Sequence, residues 1–338
     1  MATRRPSMRD VARVSGLSLQ TVSRVANGEP NVTDATRDKV LAVMRELGYR
    51  PNLAARAMRR GSFKTIGIVY QGLHAVGTRR TVEAVSEYAA LEGYATTLMP
   101  IAAATGLATS GAFTRVEEMA VDVIVSILTS QLEFDTPMKL PKGVHTILIG
   151  PQRNPEVSGM DSDQIGGTRS AVRHLLDAGH RTVHHLAGPA GSFFAARRLE
   201  TWRGVLEADG RPLPTVMQGD WTAHSGYLAT RRMLEMTAPD AYPTAVFSAN
   251  DQMALGAYRA FAEAGLRVPD DVSVVGFDDI EEAADFRPPL TTVAQDWDLM
   301  GREVMRVAGE VLAGGPPQEV LLPTRLIVRD SVAPPRTR

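Results

Sequence analysis

The stretch MRDVARVSGLSLQTVSRVANG, residues 8 to 28, decides how the chain is organised. Ser7 stands where an N-cap belongs, Asp10 follows three residues on, and Val11, Ala12 and Val14 form an apolar stripe that predicts a helix. Gly16 stops that helix, and Ser18 caps a second one whose Thr21, Val22 and Val25 face inward. Two short helices joined by a three-residue turn containing glycine make a helix-turn-helix unit. This arrangement leaves Leu19, Gln20, Ser23 and Arg24 near the exposed N-terminal face of the second helix, where such units read DNA bases. A third amphipathic helix is expected from Thr33 to Leu47.

Charge supports this independently. The first 62 residues carry 12 Lys and Arg against 5 Asp and Glu, and the remainder 25 against 33, so a net charge of −1 divides into an end of +7 and a body of −8. A clustered basic end supplies the phosphate attraction that dominates nucleic-acid affinity, and a mere solvated tail would not carry capped amphipathic helices.

The run from Asp10 to Gly61, DVARVSGLSLQTVSRVANGEPNVTDATRDKVLAVMRELGYRPNLAARAMRRG, resembles the headpiece and hinge of the LacI repressors. The resemblance implies that Leu19, Gln20 and Arg24 read bases in the major groove while Ser18, Ser23 and Asn27 fix the headpiece on the DNA backbone. Leu19 replaces a tyrosine of the family's namesake, exchanging a hydrogen-bonding group for one that can touch only a thymine methyl. Gln pairs bidentately with adenine and Arg with guanine, which leaves the bases at this chain's half-site open. After Pro51 and Asn52, the basic segment LAARAMRRG is too short to hold a helix alone. The family folds it where two subunits meet over the operator centre, with Ala55 in the hinge helix and Met58 in the place of a leucine levered into the minor groove. Methionine is among the side chains that can wedge open a base step.

About 275 residues follow the head, enough for two domains of ordinary size. The chain is 44% hydrophobic without a run long enough to span a membrane, and MATRRPSMRD has charge but no apolar segment behind it, so a cytoplasmic globular protein is expected. Zero cysteines exclude disulfides, cysteine-bound zinc and thiol catalysis. Short β-branched runs (TIGIVY, ATTLMP, VDVIVSI, VHTILIG, then TVHHLAG, TAVFSAND and VSVVGFDD) alternate with helical patterns in two series. Two series of that kind predict two doubly wound lobes with parallel sheets. No GxGxxG or GxxxxGK[ST] follows a strand, so neither a dinucleotide nor a P-loop site is expected.

The body, Thr65 to Val332, resembles the family's effector domain, which shares its fold with periplasmic sugar-binding proteins and takes a small ligand between its lobes. The expected division is a headpiece at 7–50, a hinge and linker at 51–62, and an effector domain at 63–332. In that domain an N-lobe covers about 63–162 plus 294–323, and a C-lobe about 163–293 plus 324–332. Arg198 offers a fork of donors for vicinal hydroxyls, while Asn250 and Asp278 each follow an apolar strand and offer acceptors or an amide donor. Trp221 and Trp297 suit the C–H face of a pyranose ring. The resemblance assigns all five to effector binding. It also marks a departure: Gly150 stands where the family's namesake has an aspartate, and Tyr70 and His74 are expected to line the opposing loop. Asn250 and Asp278 could equally be helix caps, and Trp202 at helical spacing with Leu199 and Leu206 reads as core.

His184 and His185 alternate along a strand and so face opposite ways, against a metal site. No nucleophile elbow or HExxH helix is present, so no cofactor, no metal and no catalysis are expected. The sequence reads as a repressor that binds a pseudo-palindromic duplex operator as a homodimer and is released by a small sugar or glycoside. The C-terminal LIVRDSVAPPRTR, with two prolines and no heptads, argues against a coiled-coil tetramer. Two readings compete: a corepressor-activated, purine-type regulator with the same head and fold, and a sugar-metabolising enzyme carrying a DNA-binding head.

Overall fold

A computed structural model describes residues 6–50, 61–101, 111, 115, 120–129, 143–151, 154–238 and 241–336. The chain divides into two compact units, Met1–Lys64 and Thr65–Arg338.

In the first unit, helix α1 (Met8–Ser15) begins where Ser7 donates from its backbone N–H and its hydroxyl to Asp10 Oδ2 at 2.9 and 2.7 Å. It ends at Gly16, whose φ of 66° lies in the left-handed region that glycine enters without strain. Helices α2 (Leu19–Ala26) and α3 (Asp34–Leu47) follow. Val11, Val22, Val25, Val40, Val43 and Met44 close a small core. Two positions expected to face inward do not: Val14 is 47% exposed, and Thr21 is half-buried with its hydroxyl 2.9 Å from Ser18 Oγ. The segment holding Ala55 and Met58 lies outside the described residues.

Among the described residues the second unit contains two six-stranded sheets. Its elements run β1 (Thr65–Tyr70), α4 (Val76–Leu91), β2 (Ala95–Pro100), β3 (Val123–Ile127), β4 (His145–Ile149), β5 (Ser158–Ser162), α5 (Gln164–Asp177) and β6 (His184–Ala187). They continue with α6 (Phe193–Ala208), β7 (Met217–Gln218), α7 (Ala223–Glu235), β8 (Ala245–Ser248), α8 (Asp251–Glu263) and β9 (Ser273–Asp278). The last are β10 (Thr291–Gln295), α9 (Trp297–Leu312), β11 (Glu319–Leu322) and β12 (Thr324–Ile327). The first sheet has the order β11-β5-β4-β3-β1-β2 and is parallel throughout; the second, β12-β10-β9-β8-β6-β7, is parallel except at β10–β12. The N-lobe core joins Ile66, Ile68, Val125 and Ile147 to Met300, Val304 and Ala308 of α9. Trp202 sits in the C-lobe core at 1% exposure, its indole N–H donating to the Val183 carbonyl at 2.9 Å.

The chain crosses between the sheets three times, after β5, after β10 and between β11 and β12. Because β10 pairs along Thr291–Gln295 with the second sheet, the second crossing falls after Gln295 and not before residue 294. Asp163 N–H donates to the Leu322 carbonyl at 2.8 Å, and Thr324 Oγ1 donates to the Asp163 carbonyl at 3.0 Å, so the first and third crossings are tied together.

Candidate functional site

Two surfaces carry the chemistry, one in each unit. On the first, Ser18 Oγ accepts from Thr21 N–H at 3.1 Å and so fixes the start of α2. That cap leaves Leu19 at 45% exposure and Gln20 and Arg24 exposed, with Ser23 half-buried one turn on. Asn27 Nδ2 donates to Ser23 Oγ at 3.3 Å. Arg24 lies 3.8 Å from Glu29 with both side chains about half exposed, a pairing weak enough to yield to an outside acceptor.

The second surface is a cleft with about 610 Å³ of open space between the carboxyl ends of the two sheets, where α/β folds place their ligands. Arg198, Trp221, Asn250, Asp278 and Trp297 all line it. Their order in the chain hides this meeting: α6, the loop after β7, the cap of α8, the end of β9 and the first turn of α9 converge because parallel strands all end on one side.

Arg198 is the hub. Its guanidinium is buried over the Phe277 ring, 3.6 Å from the centroid, donates through Nε to Gln164 Oε1 at 3.0 Å, and donates to the Ala249 carbonyl. Its second terminal nitrogen lies 3.6 Å from Asp278 Oδ1. Burial depresses the basicity of Arg198, opposed by the charges of Asp278, Asp161 and Asp251. Burial raises the Asp278 carboxyl above its usual range, opposed by Arg198 and by the hydrogen bond from Gln295 Nε2 at 2.8 Å. Beneath them, Asp251 accepts from Thr292 Oγ1 at 2.6 Å and from Ile280 N–H at 2.9 Å, and its burial holds the carboxyl well above the ordinary value.

Backbone strain marks the same place. Asp278 has φ 113°, Asp279 φ 53° and Trp221 φ 77°, conformations that cost a non-glycine residue on the order of 1–3 kcal/mol and persist only where the surroundings fix them. Asp279 is held by Arg329 at 2.7 Å. Trp221 is half-buried, its indole lying so close to Gly188 that a Cβ there would overlap the ring.

Asn250 lines the cleft, but its side chain is already engaged. Its Oδ1 caps α8 by accepting from Met253 N–H at 3.0 Å, and Nδ2 donates to the Trp221 carbonyl at 3.0 Å and Gln252 Oε1 at 2.9 Å. Tyr70 and His74 do not form the opposing wall: Tyr70 packs on the N-lobe core and His74 is exposed. Val76, Thr78 and Thr81 of α4 line it instead, with Ile127, Ile149 and Asp161. At Gly150 a side chain would meet the Leu128 carbonyl and the Phe194 ring only at ordinary contact distance, but its φ of 133° suits glycine. Asp161, a strand-end carboxylate legible in the sequence, also lines the cleft; Gln164, Gln295, Thr78, Thr81, Thr129 and Ser162 are polar lining residues that sequence reasoning missed.

His185 is fully buried, stacked between Trp202 and Phe247 with ring centroids 5.3 and 5.0 Å away, and its Nδ1 is 3.0 Å from the Phe247 carbonyl. Burial lowers its pKa, and that of His184, to about 4. Among the described residues no group of three or more His, Asp or Glu could hold a metal ion, and no helix is long and apolar enough to cross a membrane.

A helix-turn-helix unit joined to a two-lobed body with a polar, aromatic-walled cleft defines a transcriptional regulator with a ligand-binding domain. The chain belongs to the LacI family of bacterial regulatory proteins. Residues 7–52 match the profile of bacterial regulatory proteins of the lacI family, and residues 172–332 match that of the periplasmic binding protein-like domain. The chain is 36% identical to the HTH-type transcriptional regulator CelR of Thermobifida fusca, over 97% of this chain and 98% of that one. It is 34% identical to the lactose operon repressor of Escherichia coli K12, over 97% and 91%. Among solved structures, the lac repressor dimer bound to operator and the anti-inducer ONPF superposes with a TM-score of 0.84 at 31% identity, covering 98% of this chain and all of that one. A CelR–cellobiose complex superposes at 0.70 with 33% identity, covering 97% of this chain and all of that one.

Proposed function

We propose that this protein is a cytoplasmic, homodimeric transcriptional repressor whose headpiece binds a pseudo-palindromic operator and which a small sugar or glycoside releases by binding in the cleft. The observation that carries the ligand class is the buried Arg198–Asp278 pair in the same cleft as two half-buried indoles, Trp221 and Trp297. Fixed donors and acceptors match vicinal hydroxyls, and flat apolar faces match a pyranose ring. The relatives support it: a CelR structure holds cellobiose and a lac repressor structure holds an operator.

In this reading Gln20 and Arg24 contact base edges, with Leu19 supplying apolar contact, while Ser18, Ser23 and Asn27 set the docking on phosphates. Ala55 and Met58 act in the hinge at the operator centre. Arg198 and Asp278 hold hydroxyls. Asn250 has a narrower role, positioning the Trp221 carbonyl and the start of α8. Ligand affects DNA affinity to the extent that it binds the two lobe arrangements unequally. The protein works without cofactor and catalyses no reaction on its ligand.

Cellobiose, β-galactosides, other glycosides and purine bases, titrated singly while tryptophan fluorescence and release of a bound duplex are followed, test the reading. A glycoside that shifts fluorescence, releases the duplex and is recovered unchanged supports it. Tighter DNA binding with a purine establishes the corepressor alternative, and turnover of the glycoside establishes the enzyme.

A further inference from the structure

Four buried side chains of the cleft close a ring. Arg198 Nε donates to Gln164 Oε1 at 3.0 Å, Gln164 Nε2 donates to Gln295 Oε1 at 3.3 Å, and Gln295 Nε2 donates to Asp278 Oδ1 at 2.8 Å. Asp278 Oδ1 completes the ring 3.6 Å from the Arg198 guanidinium. None of the four is more than 9% exposed.

The two amides hold special places in the chain. Gln164 is the first residue of α5, just after the chain enters the C-lobe from β5, and Gln295 is the last residue of β10, just before it leaves for α9. Their mutual hydrogen bond therefore ties two of the three crossings, and backbone and threonine contacts at Asp163 tie the third to the first. The remaining ring members are those assigned to the ligand. A hydroxyl that takes the Arg198 Nε–H displaces Gln164 Oε1, and one that donates to Asp278 Oδ1 crowds the bond from Gln295 Nε2.

We infer that Gln164 and Gln295 form a clasp on the C-lobe side of the hinge, joining two of its three crossings, which holds the ligand-free lobe arrangement and which ligand binding at Arg198 and Asp278 opens. They are positioning residues: they set how strongly an occupied cleft changes operator affinity. The inference rests on the reading of the cleft as the effector site, but its test needs no effector. If the closed ring favours the operator-binding arrangement, breaking it at either amide shifts the population away from that arrangement. A ring broken once gains nothing from a second break.

The duplex for the test is one that the wild-type protein selects from a random-sequence pool. Its dissociation constant is measured without ligand for wild type, Gln164→Met, Gln295→Met and the double variant. Each single variant is expected to bind about 5- to 10-fold more weakly, within the usual range of coupling between sites, and the double no more weakly than either single. Unchanged affinity in both singles, or losses that multiply in the double as independent defects do, overturns the clasp. Amide hydrogen exchange of the ligand-free proteins is a second arm: either substitution should speed exchange at both 162–166 and 293–297, and acceleration confined to the substituted segment overturns it. Where methionine prevents folding, Gln164→Glu serves, since it keeps the acceptor for Arg198 and removes the donor to Gln295. Failure of the wild type to select any duplex counts against the DNA-binding reading, and the exchange arm then decides the clasp.

Discussion

Truncating one member of the Arg198–Asp278 pair should damage the body far more than removing both. Both side chains are at most 6% exposed and their charged atoms are 3.6 Å apart, so each is poorly hydrated when the other is gone. Asp278→Ala leaves a guanidinium whose remaining partners are the amide Gln164 and the Ala249 carbonyl; it also strips Gln295 Nε2 of its acceptor. Breaking a buried pair on one side costs about 3–5 kcal/mol, and Arg198→Met should cost the same from the carboxylate's side. Replacing a buried pair by apolar groups is close to neutral, and Met retains much of the contact with Phe277. The double variant should therefore lose only about 1–3 kcal/mol, and the coupling between the two sites should exceed about 2 kcal/mol. Urea unfolding followed by tryptophan fluorescence measures this in the body alone, because all three tryptophans, Trp202, Trp221 and Trp297, lie beyond residue 64. Single losses under about 1 kcal/mol that simply add would refute the reasoning and reduce the pair to a solvated contact. Each single variant should also lose its response to the effector, and because each opens the ring its operator binding should fall to the level of the Gln164 and Gln295 variants and not disappear.

Acid should weaken the body through its two strand histidines. His184 and His185 have folded pKa values lowered from 6.5 to about 4, so the unfolded chain takes up protons first. Their contribution is whole above pH 6.5 and is lost as pH falls toward 4, by up to roughly 3 kcal/mol for each group; unfolding midpoints across that range, against a His185→Gln control, measure the slope. Gly188→Ala puts a methyl where the Trp221 indole lies and should weaken effector binding at least about tenfold without touching operator affinity, since only the stacking wall moves; titration by fluorescence checks it. Arg24→Ala should weaken the selected duplex by about 1–3 kcal/mol and relax preference at one base position, whereas equal loss on random DNA would make Arg24 a phosphate contact. Met58→Gly should lower specific binding by a similar amount, about 1–3 kcal/mol, and spare nonspecific binding.

The headpiece was legible because its signals are local: Ser7, Gly16 and Ser18 cap their own helices, and Val11, Val22 and Val25 recur at helical spacing. The same locality misled at Val14, which continues the stripe of α1 but lies outside the described core of the unit and is 47% exposed. In the body, apolar strands such as TIGIVY announced parallel sheets, since burial on both faces leaves no alternation to read. The cleft was harder. Arg198, Trp221, Asp278 and Trp297 were reached through resemblance, while Gln164 and Gln295 have no spacing that separates them from any other glutamine; their pairing spans 131 residues. Asn250 shows why one residue type supports two readings: the same amide caps α8 and faces the cleft. Tyr70 and His74 failed for separate reasons: Tyr70 ends β1 and packs on the N-lobe core, His74 is exposed in the following loop, and the first turns of α4 line the cleft instead.

The three crossings also order the birth of the molecule. The C-lobe's strands from β6 to β10 are contiguous in the chain, whereas the N-lobe waits for its edge strand: β5 ends at Ser162, and its outer neighbour β11 is made only at Glu319–Leu322. At roughly 5–20 residues per second the ribosome leaves β5 with an open edge for about 8–30 s. Through that interval the main-chain groups of Gly159 and its neighbours, which later pair with Gln318 and β11, are a template for any passing strand. Gly159 keeps this edge bare, and in the finished protein the Glu319 carboxylate occupies the space a side chain there would have filled. The C-lobe waits as well, since β12 (Thr324–Ile327) must emerge before the outer side of β10 is paired; a stop codon before residue 319 therefore leaves both sheets without an edge strand.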